Sequence, residues 1–151
     1  MTSGTKLPLL PLLCVLQAYG LKAQKGLGQN FILSPQRLAQ IAKFPGFLKE
    51  TTMIEVGAGP GGLTRALLEA DALKVIAIET DQRCIPALIE VRHCVGSRLV
   101  IHHADALELD LSTLERDLSP RIIVANLPYH ISVPLTTIQW LKKAQDLRDF
   151  S

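Results

Sequence analysis

The sequence predicts an α/β domain built on a mostly parallel β-sheet. Four short apolar runs are separated by stretches of helical periodicity, a pattern typical of parallel strands with helices on both faces. Each run ends in a polar or glycine-rich segment, and ligands bind at this carboxyl edge of such sheets. The chain has 151 residues, 48% hydrophobic and 20% charged, which fits one globular domain and excludes disordered, collagen-like and coiled-coil proteins.

The elements follow in order, without internal repeats. The apolar segment Leu7–Leu16 continues through Gln17–Lys22 as an amphipathic helix with a stop at Gly20. Ser34 as N-cap and Pro35 as first residue predict a second helix, which ends at Pro45-Gly46. The remaining predicted elements are the strands Met53–Val56, Lys74–Ile78, Leu99–His103 and Arg121–Ala125 and the helices Leu63–Ala70 and Pro86–Val91.

The segment Leu7–Leu16 also has the length of a signal-peptide core. Its two prolines and the poor cleavage pattern after it favour the helix. No apolar run reaches the roughly 18 residues of a membrane-spanning helix. The three cysteines form no C-x-x-C pair and the four histidines have no ligand spacing. We therefore expect a cytoplasmic protein without a metal or a membrane segment.

Positive charge is concentrated at the front of the chain. Residues 1–50 carry six Lys or Arg and one acid, a net +5, whereas residues 51–151 carry ten and thirteen, a net −3. Either an anionic partner meets the front segment or the lysines form a solvated helix face.

The segment Gly57–Gly62 joins the first strand to a helix. Its glycines permit positive φ and a close approach of backbone N–H groups to an anionic ligand. Glu79 follows Gly59 by twenty residues, where an acid grips ribose hydroxyls. The pattern favours a bound adenosine moiety, with a structural tight turn as the alternative. Gly57-x-Gly59-x-x-Gly62 also fits a dinucleotide such as NAD, although Pro60 argues against it.

Asp105 ends the third strand. Its carboxylate is placed to accept a hydrogen bond from an adenine amino group, with Ala106-Leu107 against the ring. The alternative is a helix cap.

The tetrad Asn126-Leu127-Pro128-Tyr129 follows the fourth strand. The Asn126 amide oxygen and the backbone carbonyl of Leu127 or Pro128 can accept both hydrogens of an exocyclic amine, which frees the nitrogen lone pair for attack. Tyr129 offers a surface on which an extruded base stacks, worth roughly 1–3 kcal/mol. A structural turn with a buried tyrosine is the weaker interpretation.

Together these segments resemble the S-adenosylmethionine-dependent rRNA adenine N6,N6-dimethyltransferases. Four stretches carry the resemblance: Lys25–Phe31 (KGLGQNF), Glu55–Thr64 (EVGAGPGGLT), Asp105-Ala106 and Asn126–Leu135 (NLPYHISVPL). In combination they are specific and span most of the chain. Ile32 and His130 are small departures from residues common in the family.

The resemblance implies a role for each matched residue. Asn30 and Ile32 line the methionine or ribose side of the cofactor, Gly57 and Gly59 its methionyl part, Glu79 its ribose and Asp105 with Ala106 its adenine. Asn126 touches both cofactor and target amine, within the catalytic set Asn126, Leu127, Pro128 and Tyr129. Lys22 and Lys25 are expected to contact RNA.

The resemblance also implies a Rossmann-like class I methyltransferase fold. Residues 1–50 are expected to form a basic helical segment, and residues 51–151 a partial S-adenosylmethionine-binding domain that lacks the family's C-terminal strands and helical domain. The expected activity is N6-dimethylation of adenines in small-subunit rRNA by a monomer acting on the assembling subunit. The alternatives are a non-catalytic rRNA-binding or assembly factor, a large-subunit rRNA methyltransferase and, less favoured, an NAD-dependent enzyme.

Overall fold

The computed structural model describes residues 7–23, 31–43, 48–109, 114 and 121–125. Four strands in these ranges form one sheet: β1 (Thr52–Val56), β2 (Lys74–Glu79), β3 (Leu99–His103) and β4 (Arg121–Ala125). Their order is β3-β2-β1-β4, and every neighbouring pair is parallel. The predicted parallel α/β architecture is confirmed, and each strand lies within one residue of its predicted bounds.

Apolar side chains cover both faces of the sheet. All five residues of β1 are buried, because this strand lies between β2 and β4. Met53 and Val75 join the larger apolar cluster on one face, whereas Ile54 and Ile76 join a second cluster on the other face. Near-continuous apolar runs are what two covered faces require.

Four α-helices occur in the described ranges: α1 (Leu12–Ala18), α2 (Pro35–Lys43), α3 (Gly62–Glu69) and α4 (Ile85–Val95). At the start of α2, the Ser34 hydroxyl accepts a hydrogen bond from the Arg37 N–H at 3.3 Å, as its N-cap assignment predicts. Leu38 and Ala42 of α2 share the larger cluster with Leu63 and Leu67 of α3.

One predicted helix end is confirmed and another needs correction. The glycine stop of the first helix is confirmed: α1 ends at Ala18, and Gly20 takes a φ of +62° that turns the chain away before Lys22. In contrast, α4 is longer than predicted and continues to Val95, where Gly96 (φ +60°) ends it. Helix α2 ends at Lys43, and its predicted stop at Pro45-Gly46 lies outside the described residues.

Helix α1 packs against the domain through its apolar side. Val15 and Leu16 are buried in a small cluster with Cys84 and Ala87, and the Tyr19 hydroxyl donates a hydrogen bond to Glu90. No helix in the described ranges has the length and apolarity that crossing a bilayer requires.

Candidate functional site

The strand order creates a crevice at the carboxyl edge of the sheet. The chain moves outward from β1 to β2 and β3 on one side and returns to place β4 on the other. Such a switch point, outside the carboxyl ends of the two diverging strands, is where open α/β sheets bind ligands. Val56 at the end of β1 pairs with Ala125 at the end of β4, so both strands reach this edge at the same level.

The loop after β1 is held by backbone contacts. The N–H groups of Gly57 and Ala58 donate to the Ile78 carbonyl of β2, at 2.8 and 3.2 Å. Gly57, Gly59 and Gly61 have φ values of +74°, +57° and +94°, which other residues rarely adopt. No side chain of the described residues caps α3 at Gly61. The Gly61 N–H donates to the Ala58 carbonyl at 3.2 Å and the Gly59 N–H to Glu79, so the N–H groups of this loop have partners within the protein. Beyond the loop, the first turn of α3 is the usual place for an anionic group.

Glu79 lies beside this loop. Its side chain is buried, and its Oε2 accepts a hydrogen bond from the Gly59 N–H at 2.5 Å. Its Oε1 accepts a second one from the Asp81 N–H at 2.8 Å. The carboxylate at the end of β2 is thus fixed against the glycine loop, and its other lone pairs can accept further hydrogen bonds.

Beneath the loop, Glu55 of β1 is 2% exposed. Burial raises its pKa to about 8, an effect opposed by the hydrogen bond that the Thr64 hydroxyl donates and reinforced by the negative charge of Glu79. The Glu55 carboxyl is therefore mostly protonated at neutral pH. It joins β1 to the first turn of α3 without a net charge.

The segment before α2 covers the loop from outside. A Cβ added to Gly59 would lie 3.5 Å from the Phe31 ring. Next to Phe31, half-buried Ile32 packs against the larger apolar cluster, and its carbonyl oxygen would lie 3.5 Å from a Cβ added to Gly62. Residues 31 and 32 thus lie beside the loop at Gly59 and at Gly62.

Asp105 begins a turn after β3. Its side chain is exposed, and its Oδ1 accepts a hydrogen bond from the Leu107 N–H at 2.8 Å. Its backbone carbonyl accepts from Glu108 and Leu109. One oxygen of the Asp105 carboxylate thus accepts a local backbone hydrogen bond, as a capping residue does. The carboxylate can still accept a hydrogen bond from a ligand. Ala106 is buried in the second apolar cluster, together with Ile78.

A model of the ribosomal RNA adenine dimethylase family matches residues 20–150. The chain belongs to the ribosomal RNA adenine dimethylase family. This confirms the resemblance found in the sequence motifs.

Curated relatives support this family assignment. The chain is 50% identical over 131 residues to a ribosomal RNA small subunit methyltransferase A from Cereibacter sphaeroides, which covers 87% of this chain and 46% of the relative. It is 48% identical over 135 residues to the protein of that name from a Jannaschia species, and this match covers 89% of this chain and 45% of the relative. The chain spans a little under half the length of these relatives.

Two solved structures share the fold. The 23S rRNA methyltransferase ErmE aligns over 70% of this chain and 41% of its own, with a TM-score of 0.56 and 29% identity. A dimethyladenosine transferase from Plasmodium falciparum aligns over 68% of this chain and 35% of its own, with a TM-score of 0.55 and 31% identity. The Rossmann-like class I methyltransferase fold is thereby confirmed.

The residues predicted from the motifs fall into two groups. Five of them lie just after the carboxyl ends of β1 and β3, at the end of β2, or beside the loop after β1: Ile32, Gly57, Gly59, Glu79 and Asp105. Ala106 lies in the apolar layer behind that turn, and Lys22 is exposed after α1. Lys25, Asn30 and the tetrad Asn126, Leu127, Pro128 and Tyr129 lie outside the described residues.

Sequence reasoning assigned no role to Glu55, Thr64 or Phe31. All three lie within the motifs of the family, and an acid inside an otherwise apolar strand is the signal that Glu55 offered. The Glu55–Thr64 hydrogen bond and the packing of Phe31 on Gly59 are visible only in three dimensions. In the described ranges, no group of three His, Cys, Asp or Glu side chains could hold a metal ion.

Proposed function

We propose that this chain carries the cofactor-binding part of a cytoplasmic enzyme that dimethylates adenine N6 in small-subunit rRNA, with S-adenosylmethionine as cofactor. The observation that carries the proposal is the hydrogen bond that fixes the glycine loop to Glu79 at the switch point. The chain is also 50% identical over 131 residues to a small-subunit rRNA methyltransferase. The identity to these relatives is higher than the 29% to the large-subunit enzyme ErmE, which favours the small subunit.

The described residues fit an adenosine-type cofactor. Glu79 would accept hydrogen bonds from the ribose hydroxyls, and the Gly57–Gly61 loop and the first turn of α3 would lie against the methionyl part of the cofactor. Asp105 would accept from the adenine amino group, while Asn30, Ile32 and Ala106 line the site. When bound, S-adenosylmethionine supplies a methyl group already activated by its positive sulfur, so the protein needs no strong base.

The target amine would meet the residues that follow β4. Ala125 pairs with Val56, and Asn126 is one Cα step of about 3.8 Å further along the chain. The Asn126 amide oxygen and the carbonyl of Leu127 or Pro128 would accept the two amine hydrogens and orient the nitrogen lone pair toward the methyl group. Tyr129 would stack on the extruded adenine.

The front of the chain would meet the RNA. In this proposal residues 1–50 form a basic segment of net charge +5, in which Lys22 and Lys25 contact phosphates, and residues 51–151 form the cofactor-binding domain. The protein acts as a monomer on the assembling small subunit and uses no metal.

Transfer of labelled methyl groups from S-adenosylmethionine to unmethylated small subunits tests the proposal. We expect the chain to label adenine N6, and Asn126→Ala to reduce the rate about 100-fold or more because the amine loses its orientation. Gln40→Ala, an exposed change on α2, is the matched control and should keep the wild-type rate. Salt-sensitive binding of rRNA without any methyl transfer would instead identify a non-catalytic assembly factor.

A further inference from the structure

His103 is the last residue of β3, and the proposed reaction gives it no role. Its side chain is exposed, yet its Nε2 lies 3.1 Å from the backbone carbonyl oxygen of Thr80, in the turn that follows β2. A carbonyl oxygen can only accept, so Nε2 carries the proton and donates the hydrogen bond. The imidazole therefore joins the end of β3 to the turn after β2.

The ladder between β2 and β3 ends beside this contact. Glu79 is opposite His103 in the register, and the Ala104 N–H donates to the Glu79 carbonyl at 3.1 Å. The two segments then enter separate turns, one after Thr80 and the other at Asp105. The His103 ring extends the connection between them past the ends of the strands.

The Thr80 carbonyl belongs to the same peptide group as the Asp81 N–H, and that N–H donates to Oε1 of Glu79 at 2.8 Å. The peptide group is planar, with its C=O and N–H pointing in opposite directions, so a contact that holds the oxygen also sets the direction of the N–H. A hydrogen bond at one end also polarises the group and strengthens the bond at the other end. His103 thus acts on the Glu79 carboxylate through one peptide group.

The other contacts around this turn hold different parts of it. The Asp81 carboxylate accepts hydrogen bonds from the Arg83 N–H at 3.0 Å and from the Arg83 guanidinium, and both groups lie within the turn. Glu79 Oε2 accepts from the Gly59 N–H, which belongs to the loop after β1. The contact with His103 ties the Oε1 side of the carboxylate to β3.

We propose that His103 is a positioning residue for the Glu79 carboxylate, and through it for the ribose of the cofactor. This inference rests on the proposed function, in which Glu79 accepts hydrogen bonds from the ribose hydroxyls. Hydrogen bonds from hydroxyls to carboxylates are short and directional, so a carboxylate that turns away loses them. His103 acts through Glu79 and needs no contact with the cofactor.

Isothermal titration with S-adenosylhomocysteine and with its 2′,3′-dideoxy analogue tests this role. The analogue lacks the hydroxyls that Glu79 would bind, and the wild type should bind it about tenfold or more weakly. His103→Leu should bind S-adenosylhomocysteine about three- to tenfold more weakly than the wild type and keep the wild-type affinity for the analogue. An equal loss of affinity for both ligands would show a merely structural role and refute the proposal.

His103→Gln tests whether the hydrogen bond carries the effect. The Gln amide nitrogen is as many bonds from Cα as the His Nε2 and can donate to the same carbonyl, so this variant should recover most of the affinity for S-adenosylhomocysteine. His93→Leu, the same change as His103→Leu at an exposed position of α4, should bind both ligands like the wild type. A Gln variant as weak as the Leu variant would contradict the donor role of Nε2.

Failure of this inference differs from failure of the proposed function. A wild type that does not bind S-adenosylhomocysteine would refute the proposed function and this inference with it. A wild type that prefers S-adenosylhomocysteine to the analogue, together with a His103→Leu variant that keeps the full preference, would refute the role of His103 alone.

The wild type also provides a test that needs no variant. Nitrogen chemical shifts of the His103 ring, recorded at about pH 8.5 where imidazoles are ordinarily neutral, should show the proton on Nε2. The Nε2 resonance should move when S-adenosylhomocysteine saturates the protein and move less with the dideoxy analogue. A proton on Nδ1, or equal movements with both ligands, would overturn the assignment.

Discussion

At the scale of single residues, Glu79 has the most specific predicted role. Glu79→Gln should weaken S-adenosylmethionine binding about 10- to 100-fold, because hydrogen bonds to charged groups contribute roughly 1.5–3 kcal/mol and an amide N–H₂ would oppose one of the backbone N–H groups now bound. Isothermal titration measures the change. Glu50→Gln, on an exposed turn, is the control, and equal affinity for both variants would contradict a role for Glu79 in holding the ribose.

Glu55 should make the stability of the protein depend on pH. Its pKa is raised from 4.5 to about 8 in the folded state, so the folded protein keeps a proton that the unfolded chain loses. The free energy of unfolding should therefore fall as the pH rises through this window, by up to about 1.4 kcal/mol per pH unit. Urea unfolding of Glu55→Gln at several pH values should give a flatter dependence. Glu50→Gln should retain the wild-type slope, and identical slopes for all three proteins would refute the assignment.

Sequence spacing was sufficient to select Gly59 and Glu79, because a strand, a glycine turn and the next strand bring such residues together in any fold of this class. Sequence spacing could not predict the raised pKa of Glu55. That property depends on burial between two sheet neighbours and on a hydroxyl nine residues away, which no local pattern encodes.

At the scale of elements, the junction between the glycine loop and α3 is under the tightest steric restriction. Gly61 has a φ of +94°, and an added Cβ would lie 3.1 Å from Leu88 Cδ2 of α4. Gly61→Ala should therefore lower the free energy of unfolding by about 1–3 kcal/mol. Gly20→Ala isolates the backbone cost, since Gly20 has a φ of +62° and nothing within 4 Å. Equal losses in urea unfolding would show that the contact with Leu88 contributes nothing.

Strands were easier to predict than helix ends. Each strand is an apolar run bounded by polar residues, so its limits are visible in the sequence. The ends of α1 and α4 are instead set by Gly20 and Gly96 taking positive φ. Glycine permits that conformation without requiring it. The stop at Gly20 was predicted correctly, whereas the last helix was predicted to end at Val91 and continues to Val95.

At the scale of the whole molecule, ligand binding should stabilise the fold selectively. S-adenosylmethionine at about 100 times its dissociation constant should add roughly 2.7 kcal/mol to stability, a rise of several degrees in melting temperature. NAD at the same concentration should give no comparable rise, because the loop and Glu79 are expected to serve an S-adenosylmethionine-type ligand. A larger effect of NAD would favour the dinucleotide alternative.

The global arrangement was predictable where it follows from chain order. Parallel strands with intervening helices leave few topologies, and the family motifs selected among them. A cavity that has Arg65 in its wall was not predictable. It arises where Leu7–Leu13 lies across α2 and α3, and the sequence does not reveal how two segments more than 50 residues apart are packed together.

Three strands reach the same level at Val56, which pairs with Ile78 of β2 on one side and with Ala125 of β4 on the other, and β2 continues by one residue to Glu79. The proposed reactive residues follow these strand ends in the sequence, and the apolar layers of the sheet take no part in the proposed chemistry. In the proposed enzyme, a change in the segments after the strands would change which base is modified and leave the apolar layers that fold the chain as they are.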